Sequence, residues 1–329
     1  MRAAVFGSGA WGTALAQVLC DNSHDVTLYG PCEAEISDLR GGYNRRYFGD
    51  TPITRAMTLT SSVRELHGLY DVIVLAVPTR AFPDVYATVA PLLTEGTVVV
   101  NVAKGFEPGT GDRLSVALAR AFSGCRYRGI ASLIGPSHAE EVARRMLTSV
   151  AAVSDSLTLA QEVQQYFSNG YFRVYAGNDV VGAEYGVAIK NVIALASGML
   201  VGRGYGDNAK AALITRGLAE TVRYGVQKGG RRETFFGLAG VGDLIVTCFS
   251  PHSRNYQAGF LVGEADSIAP LADLNLTVEG VESCRQVHAD ACRAGIDMPI
   301  VSAVHSVLFE GVKPSEAICK VMSRPLRNE

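Results

Sequence analysis

The N-terminal half of the chain alternates short apolar runs with segments in which apolar residues recur every three or four positions. The apolar runs occupy residues 3–9, 25–30, 70–78, 96–105, 128–136, 148–154 and 171–177. Continuous apolar runs of this length are typical of strands that are buried on both faces of a parallel sheet. Because helical segments separate the runs, the pattern predicts an α/β fold with a doubly wound parallel sheet.

The pattern changes near residue 178. Beyond it the apolar positions follow helical spacing over the long segments 181–201, 208–228, 277–294 and 301–309, and no convincing strand is predicted. A chain of 329 residues is long enough for two domains. We therefore predict a sheet-containing domain over residues 1–178 and an all-α domain over residues 179–329.

Composition and net charge limit the kinds of molecule that the chain is expected to bind. An apolar share of 48% and a charged share of 19% are enough for sizeable cores and too apolar for disorder. The formal net charge of −2 argues against a nucleic-acid or membrane surface as partner, whereas a small anionic substrate needs only a local basic cluster. Seven cysteines without a CxxC pair argue against zinc and disulfides and favour a reducing, cytoplasmic compartment.

The first chemical motif is "GSGAWG", which contains Gly7, Gly9 and Gly12. It follows the first predicted strand and opens the first helix, where Gly7 permits a tight turn, Gly9 a close approach of a pyrophosphate and Gly12 helix–strand packing. The helix N-terminus offers N–H groups and a partial positive charge to phosphates. We predict that this loop binds NAD or NADP; the alternatives are a plain glycine-rich turn or part of a signal peptide.

The sequence leaves the choice between NAD and NADP open. The second strand ends in "LYGPCEAE", so Pro31 and Cys32 stand where a ribose-binding acid is expected. Glu33 or Glu35 either reaches the ribose 2′-hydroxyl or sits in the first turn of the next helix. The segment has no arginine for a 2′-phosphate.

Two further residues follow predicted strands at the edge of the sheet where ligands bind in open α/β folds. Lys104 comes directly after a buried strand in "NVAKGFE", and Ser137 follows the turn in "LIGPSHAEE". Lys104 is either a ligand-binding cation or a solvated surface lysine. Ser137 either caps the helix that follows it or presents its hydroxyl to a substrate.

Lys190 is the charged residue that most needs an explanation. It lies inside the apolar run "GVAIKNVIALASG", and burying an ammonium costs several kcal/mol unless it is paired. In one interpretation the stem packs against apolar neighbours while the amine reaches water. In the other, the amine is buried for chemistry.

A second segment, "GLAGVGDLIVTCFSPHSRNY", favours chemistry. Asp243 follows its glycine-rich turn, where helix capping explains the acid only in part, and Arg254 and Asn255 lie in a predicted polar loop. Reduction of a phosphorylated ketone needs an acid–base group, a carboxylate that holds it and tunes its pKa, and an arginine for the phosphate. We predict that Lys190, Asp243 and Arg254 supply these three functions.

Eight segments in this order resemble NAD(P)-dependent glycerol-3-phosphate dehydrogenase of the bacterial, soluble type. They are "GSGAWGTALA", "AKGFE", "IGPSHAEE", "GVAIKNVIALASG", "NAKAALITRGLAE", "GLAGVGDLIVTC", "SRN" and "VEG". The resemblance implies an N-terminal Rossmann domain, a helical C-terminal domain and an active site between them. It also implies interconversion of dihydroxyacetone phosphate and sn-glycerol 3-phosphate, which supplies phospholipid synthesis, in a cytoplasmic homodimer.

The resemblance also implies roles for individual residues. Lys190 matches the catalytic proton acceptor, with Asp243, Thr247 and Lys104 as its active-site neighbours. The implied substrate-binding residues are Lys104, Gly135, Ser137, Lys190, Asp243, Ser253, Arg254 and Asn255. The implied cofactor contacts are Gly7, Gly9, Ala10, Trp11, Gly12, Lys104, Ala139, Arg254, Thr277 and Glu279.

Pro31 departs from the family pattern, because many relatives carry His or Arg there, and this again leaves the coenzyme open. Two rival functions are considered. One is another hydroxyacid dehydrogenase of the 6-phosphogluconate-dehydrogenase-like type, acting on a 3-hydroxy acid or a ketopantoate-like substrate. The other is a non-catalytic dinucleotide-binding sensor, which has no need for both lysines, Asp243 and the "SRN" segment.

Overall fold

The computed structural model describes residues 1–274 and 278–326. The chain divides into two compact units, Met1–Val180 and Val181–Glu329. The first contains the sheet, and the second is helical over its described residues.

Within the described residues of the first unit, eight strands form one sheet in the order β3-β2-β1-β4-β5-β6-β7-β8. Every neighbouring pair is parallel except β6–β7, which is antiparallel. The strands are β1 Arg2–Phe6, β2 Asp25–Tyr29, β3 Thr58–Thr60, β4 Val72–Leu75, β5 Val98–Asn101, β6 Gly129–Ile134, β7 Thr148–Val153 and β8 Phe172–Gly177. The predicted α/β class is therefore confirmed, with a correction to the direction of two strands.

That correction concerns the last two strands, β7 and β8. β6 and β7 are joined by residues 135–147, which include only a five-residue helix, Ala139–Ala143. The pattern of apolar residues along a strand does not show the direction of its neighbour, and here the chain pairs β7 with β6 in the opposite direction. The three-residue edge strand β3 was also missed, because "TLT" has no apolar run to mark it.

Helices cover both faces of the sheet because alternate residues of each strand point to opposite sides. Ala3 and Val5 of β1 pack into one core, and Ala4 and Phe6 pack into the other. The helices of this unit are α1 Ala10–Asp21, α2 Glu33–Arg40, α3 Arg45–Phe48, α4 Phe82–Val89, α5 Leu114–Ala121, α6 Ala139–Ala143 and α7 Leu157–Phe167. This double cover explains why the central strands read as continuous apolar runs.

The second unit is built on α8, whose residues are almost all buried. By length and composition α8 resembles a membrane span, but 83% of its apolar window is buried, as is typical of a core helix. The helices of this unit are α8 Val180–Gly202, α9 Asp207–Gln227, α10 Asp243–Phe249, α11 Arg254–Ala265, α12 Glu279–Ala294, α13 Pro299–Phe309 and α14 Pro314–Met322.

Candidate active site

The glycine loop connects β1 to α1, as the spacing predicted. Gly7 has φ +118°, and a Cβ added there would lie 2.3 Å from the carbonyl oxygen of Ala76. A Cβ on Gly12 would lie 1.9 Å from the Gly7 oxygen. At Gly9, by contrast, the nearest described atom to an added Cβ is the Tyr47 hydroxyl at 3.9 Å. The fold itself therefore requires Gly7 and Gly12, while Gly9 keeps space open beside the loop.

The N-terminus of α1 suits a phosphate group. Gly9 is its N-cap residue and has no side chain that could accept from the first N–H groups of the helix, which include those of Ala10 and Trp11. A pyrophosphate at this end would gain both the N–H groups and the helix dipole. The residues present therefore fit a dinucleotide.

Asn44 holds the glycine loop and was not identified from the sequence. It is 1% exposed, and its Nδ2 donates to the Ser8 carbonyl oxygen and to Thr13 Oγ1, both at 2.9 Å. Asn44 lies 31 residues beyond Thr13 in an irregular segment. Local sequence patterns carry no signal for a contact at that separation.

Lys104 and Ser137 meet at one carbonyl group after β5 and β6. Lys104 Nζ donates to the Gly135 oxygen at 2.9 Å, and Ser137 Oγ donates to the same oxygen at 3.0 Å. The capping interpretation of Ser137 is wrong, because His138 is the N-cap of α6 and Ala139 its first residue. The ammonium of Lys104 is half-buried and directed onto the substrate-binding turn that the resemblance implies.

In the second unit Lys190 is 4% exposed, so the snorkelling interpretation is wrong. Its Nζ lies 2.6 Å from Asp243 Oδ1 and 2.7 Å from Thr247 Oγ1. The Thr247 hydroxyl accepts from the ammonium and donates to the Asp243 carbonyl oxygen at 2.6 Å. The amine is therefore fixed in one position by two partners on α10.

Glycine brings α10 close enough to α8 for this contact. A Cβ on Gly186, one turn before Lys190, would lie 2.6 Å from the Ala239 carbonyl oxygen. Ala239 belongs to a π-helical turn, Leu238–Gly242, that leads directly into α10. Asp243 consequently has helical backbone angles and does not cap the helix, which corrects the capping interpretation. Its side chain binds Lys190 instead.

The residues of the "SRN" segment begin a helix rather than a loop. Ser253 is the N-cap of α11, and its Oγ accepts from the Tyr256 N–H at 3.2 Å. Arg254 is exposed and Asn255 is buried in the first turn. The predicted polar loop is therefore wrong. A guanidinium at the positive end of a helix is electrostatically unfavourable by itself, so the arrangement is suited to an anion.

A glycine-lined crossing places α11 against α8. Added Cβ atoms on Gly198 and Gly202 of α8 would lie 2.1 and 2.3 Å from backbone oxygens of α11. Gly259 and Gly263 of α11 approach the backbone of α8 in the same way, at 2.1 and 2.2 Å. Backbones in such close contact leave little freedom for the two helices to slide, so the start of α11 is fixed relative to α8.

Asn255 links this helix start to α12. Its Oδ1 accepts from the Gly280 N–H at 2.9 Å, and a Cβ on Gly280 would lie 2.7 Å from the Asn191 carbonyl oxygen, next to Lys190. Glu279 is the first residue of α12. Thr277, the other late cofactor contact implied by the resemblance, lies outside the described residues.

Lys210 on α9 is a second buried cation, which the sequence analysis did not select. It is 8% exposed, and its Nζ lies 4.3 Å from the centre of the Phe249 ring and 5.1 Å from that of Tyr256. Burial raises the pKa of Cys248 to about 12, although the ammonium groups of Lys190 and Lys210 oppose this rise. A sequence signal existed, since Lys210 shares helical spacing with the buried residues Ile214, Gly217 and Thr221.

A mostly parallel sheet with this glycine loop, followed by a helical unit that buries a lysine–aspartate pair, defines a nicotinamide-dependent oxidoreductase. Two family models match the chain: the N-terminal part of NAD-dependent glycerol-3-phosphate dehydrogenase over residues 2–160, and its C-terminal part over residues 179–319. The chain belongs to this family, which confirms the resemblance drawn from the sequence.

Individual relatives are similar to this chain over nearly its whole length. A glycerol-3-phosphate dehydrogenase [NAD(P)+] of Exiguobacterium sp. is 44% identical, covering 99% of this chain and 96% of the relative. One from Macrococcus caseolyticus is 41% identical over 100% of both chains. The crystal structure of glycerol-3-phosphate dehydrogenase from Coxiella burnetii is 32% identical with a TM-score of 0.88, covering 98% of this chain and 99% of that one.

Proposed function

We propose that the chain interconverts sn-glycerol 3-phosphate and dihydroxyacetone phosphate with NAD or NADP. The observation that carries the proposal is the buried Lys190 amine, held by Asp243 at 2.6 Å and by Thr247 at 2.7 Å. The names of the full-length relatives agree with this reaction. A non-catalytic sensor has no use for a desolvated acid–base group.

The reaction moves one hydride and one proton. A bound nicotinamide coenzyme would supply the hydride acceptor for oxidation of glycerol 3-phosphate at C2 and the hydride donor for the opposite direction. The neutral amine of Lys190 takes the proton from the C2 hydroxyl as the C–H electron pair leaves. In the reduction direction the Lys190 ammonium donates that proton to the forming alkoxide, so charge and atoms balance.

Asp243 and Thr247 position the amine for this transfer. The carboxylate accepts one N–H of the ammonium and the Thr247 hydroxyl accepts a second. Because both partners lie on one turn of α10, the amine keeps a fixed direction. A fixed general acid avoids the entropic cost of locating the proton donor in each turnover.

The substrate phosphate is assigned to the start of α11. Arg254 offers a planar fork of donors, the first turn offers backbone N–H groups, and Asn255 and Ser253 fix the geometry of that turn. In the first unit we assign substrate contacts to Lys104, Gly135 and Ser137, which already form one hydrogen-bonded group.

The coenzyme is assigned to the glycine loop and the residues that follow strands β5 and β6. Gly9 leaves open space beside the loop, and the first turn of α1 presents donors for the pyrophosphate. The full set of proposed cofactor contacts is Gly7, Gly9, Ala10, Trp11, Gly12, Lys104, Ala139, Arg254, Thr277 and Glu279.

The biological setting is proposed from the family. A small phosphorylated triose is the substrate, and neither nucleic acid nor membrane is proposed as a partner. We propose a homodimer in the cytoplasm that supplies glycerol 3-phosphate for phospholipid synthesis. Light scattering on the purified chain tests the dimer, and a monomeric mass at micromolar concentration would reject it.

Initial rates test the reaction itself. NADH and NADPH oxidation should be rapid with dihydroxyacetone phosphate and slower by a factor of about 100 or more in kcat/KM with unphosphorylated dihydroxyacetone, because the phosphate contacts are lost. A ketopantoate-like keto acid is the comparison for the rival dehydrogenase. Faster turnover of the keto acid would overturn the proposal, and coenzyme binding without any oxidation would favour the sensor.

A further inference from the structure

The end of β2 lacks the acid that usually binds the adenosine ribose, and the structure shows what occupies its place. Gly30 follows β2, and a Cβ added there would lie 2.1 Å from Ser8 Oγ. Ser8, the residue between Gly7 and Gly9 of the glycine loop, is 3% exposed. No side chain fits directly after β2, because the Ser8 hydroxyl already fills that volume.

A carboxylate reaches the same position from the next helix. Glu35 lies in the first turn of α2, and its Oε2 accepts from Ser8 Oγ at 2.6 Å. The Glu35 side chain is only 13% exposed. A carboxylate has about four lone-pair sites, so Glu35 retains acceptor capacity after accepting from Ser8, from Arg46 NH1 at 2.9 Å and from the Tyr47 hydroxyl at 3.5 Å. Glu35 is therefore fixed against the loop at the point where the ribose-binding acid of dinucleotide folds is expected.

The neighbouring cation is held much less firmly. Arg46 NH1 lies 2.9 Å from Glu35 Oε1, but the arginine side chain is 69% exposed. Exposed ion pairs of this kind are screened by water and stabilise little. The buried member of the pair is thus the anion, and it determines the charge that a ribose substituent meets.

We propose that Glu35 is the coenzyme-selecting residue of this chain, accepting hydrogen bonds from the adenosine ribose hydroxyls and favouring NAD(H) over NADP(H). The inference rests on the proposed function. The 2′-phosphate of NADP(H) carries close to two negative charges, and placing it beside a fixed carboxylate is repulsive. A 2′-hydroxyl instead donates to that carboxylate.

Calorimetric titration of the full chain with NADH and with NADPH, without substrate, tests this proposal by binding alone. The unmodified chain should bind NADH at least about 10-fold more tightly than NADPH. Glu35→Gln keeps an oxygen that accepts from Ser8 and removes the charge, so the ratio of the two dissociation constants should fall about 10-fold, mainly through tighter NADPH binding. In that background Arg46→Gln should weaken NADPH binding again and leave NADH binding unchanged.

Glu33→Gln is the matched control, because Glu33 lies in the same helical turn but is 59% exposed and bonds to Arg40 and Ser61. The ratio of the NADPH and NADH dissociation constants of Glu33→Gln should equal that of the unmodified chain. Equal or tighter binding of NADPH by the unmodified chain, or an unchanged ratio in Glu35→Gln, would overturn the assignment while leaving the proposed reaction intact. Failure of either nucleotide to bind would instead reject the proposed function, and with it this inference.

Discussion

Two lysine–aspartate pairs in the helical unit have the same distance between nitrogen and oxygen but differ strongly in exposure to solvent. Lys190 and Asp243 are 2.6 Å apart with side chains 5% and 1% exposed, whereas Lys228 and Asp290, also 2.6 Å apart, are each 25% exposed. Asp290 has the pattern of a structural ion pair: partial burial raises its pKa, but hydrogen bonds from Lys228 and Tyr224 lower it below the ordinary value. Distance alone therefore does not distinguish the pair that we propose to be catalytic from a structural pair.

Burial is what separates the two pairs. Removing two charges from water costs several kcal/mol per ion, and their mutual attraction does not reliably repay that cost. A pair as buried as Lys190–Asp243 is consequently poor evidence for stability and good evidence for another use. The half-buried pair of Lys228 and Asp290 needs no such explanation, since it retains part of its hydration.

The largest expected difference is in turnover. Lys190→Met removes the proposed acid–base group and should lower kcat by roughly 1,000-fold or more, consistent with the loss of a general acid and of substrate orientation. Lys228→Met should stay within about two-fold of the unmodified chain. Stopped-flow NADH absorbance gives both rates, and similar rates for the two variants would reject the distinction between the pairs.

Replacing the aspartate of each pair should also distinguish the two pairs, by the free energy of unfolding that is lost. Asp243→Ala leaves a buried ammonium without its carboxylate and should lower the free energy of unfolding by about 3–5 kcal/mol. Asp290→Ala should cost less, about 1–2 kcal/mol, because Lys228 regains water. Urea unfolding at pH 7 measures both values. A larger loss of unfolding free energy in Asp290→Ala than in Asp243→Ala would contradict the expected difference between the two pairs.

A third acid of the helical unit, Glu220, is buried without a lysine partner among the described residues: it is 2% exposed, and its carboxyl group accepts from the backbone N–H groups of Ile300 and Val301. Burial raises its pKa to about 7 from an ordinary value near 4.5. A carboxyl whose folded-state pKa is raised stabilises fully below about pH 4.5, and that contribution is lost as pH rises through about 7.

Glu220→Gln keeps an acceptor for Ile300 and cannot ionise. Its free energy of unfolding, relative to that of the unmodified chain, should therefore rise by about 3 kcal/mol between pH 4.5 and pH 8. Urea titrations at the two pH values give this difference, in which other titrating groups cancel. A pH-independent difference between the two proteins would show that Glu220 is not buried as an acid.

The smallest effect is expected at the phosphate site. Arg254→Ala should weaken the apparent affinity for dihydroxyacetone phosphate by about 1.5–3 kcal/mol, the value of a charge-assisted hydrogen bond. Arg285→Ala, a substitution of another exposed arginine of the same unit, serves as the control. An unchanged Michaelis constant for Arg254→Ala would remove Arg254 from the phosphate site.

The sequence predicted most of the sheet because the central strands are covered on both faces and must be apolar throughout. The direction of β7 and β8 could not be predicted, because apolar periodicity contains no information on strand direction. The strand β3 was missed because its three residues form too short a pattern. Lys190 was found because a charge in an apolar run is energetically anomalous. Asp243, 53 residues away, was expected as its partner from the chemistry and the family resemblance, and the structure shows the contact at 2.6 Å.

Other parts of the site were misassigned for local reasons. The "SRN" residues read as a polar loop, although the N-capping preference of Ser253 was a usable sign of a helix start. Lys210 was overlooked because it stands in a helix of mixed polarity, where one lysine is unremarkable until its helical face is known. Asn44 had no local pattern at all.

We expect the buried pair of Lys190 and Asp243 to serve chemistry and not stability. The double replacement Lys190→Met/Asp243→Asn separates these two roles, because it removes both charges while keeping similar volumes. We expect a protein that unfolds at the same or a higher urea concentration, binds NADH with unchanged affinity and has no measurable turnover of dihydroxyacetone phosphate. Retained turnover, or a loss of several kcal/mol in unfolding free energy with the packing preserved, would contradict this expectation.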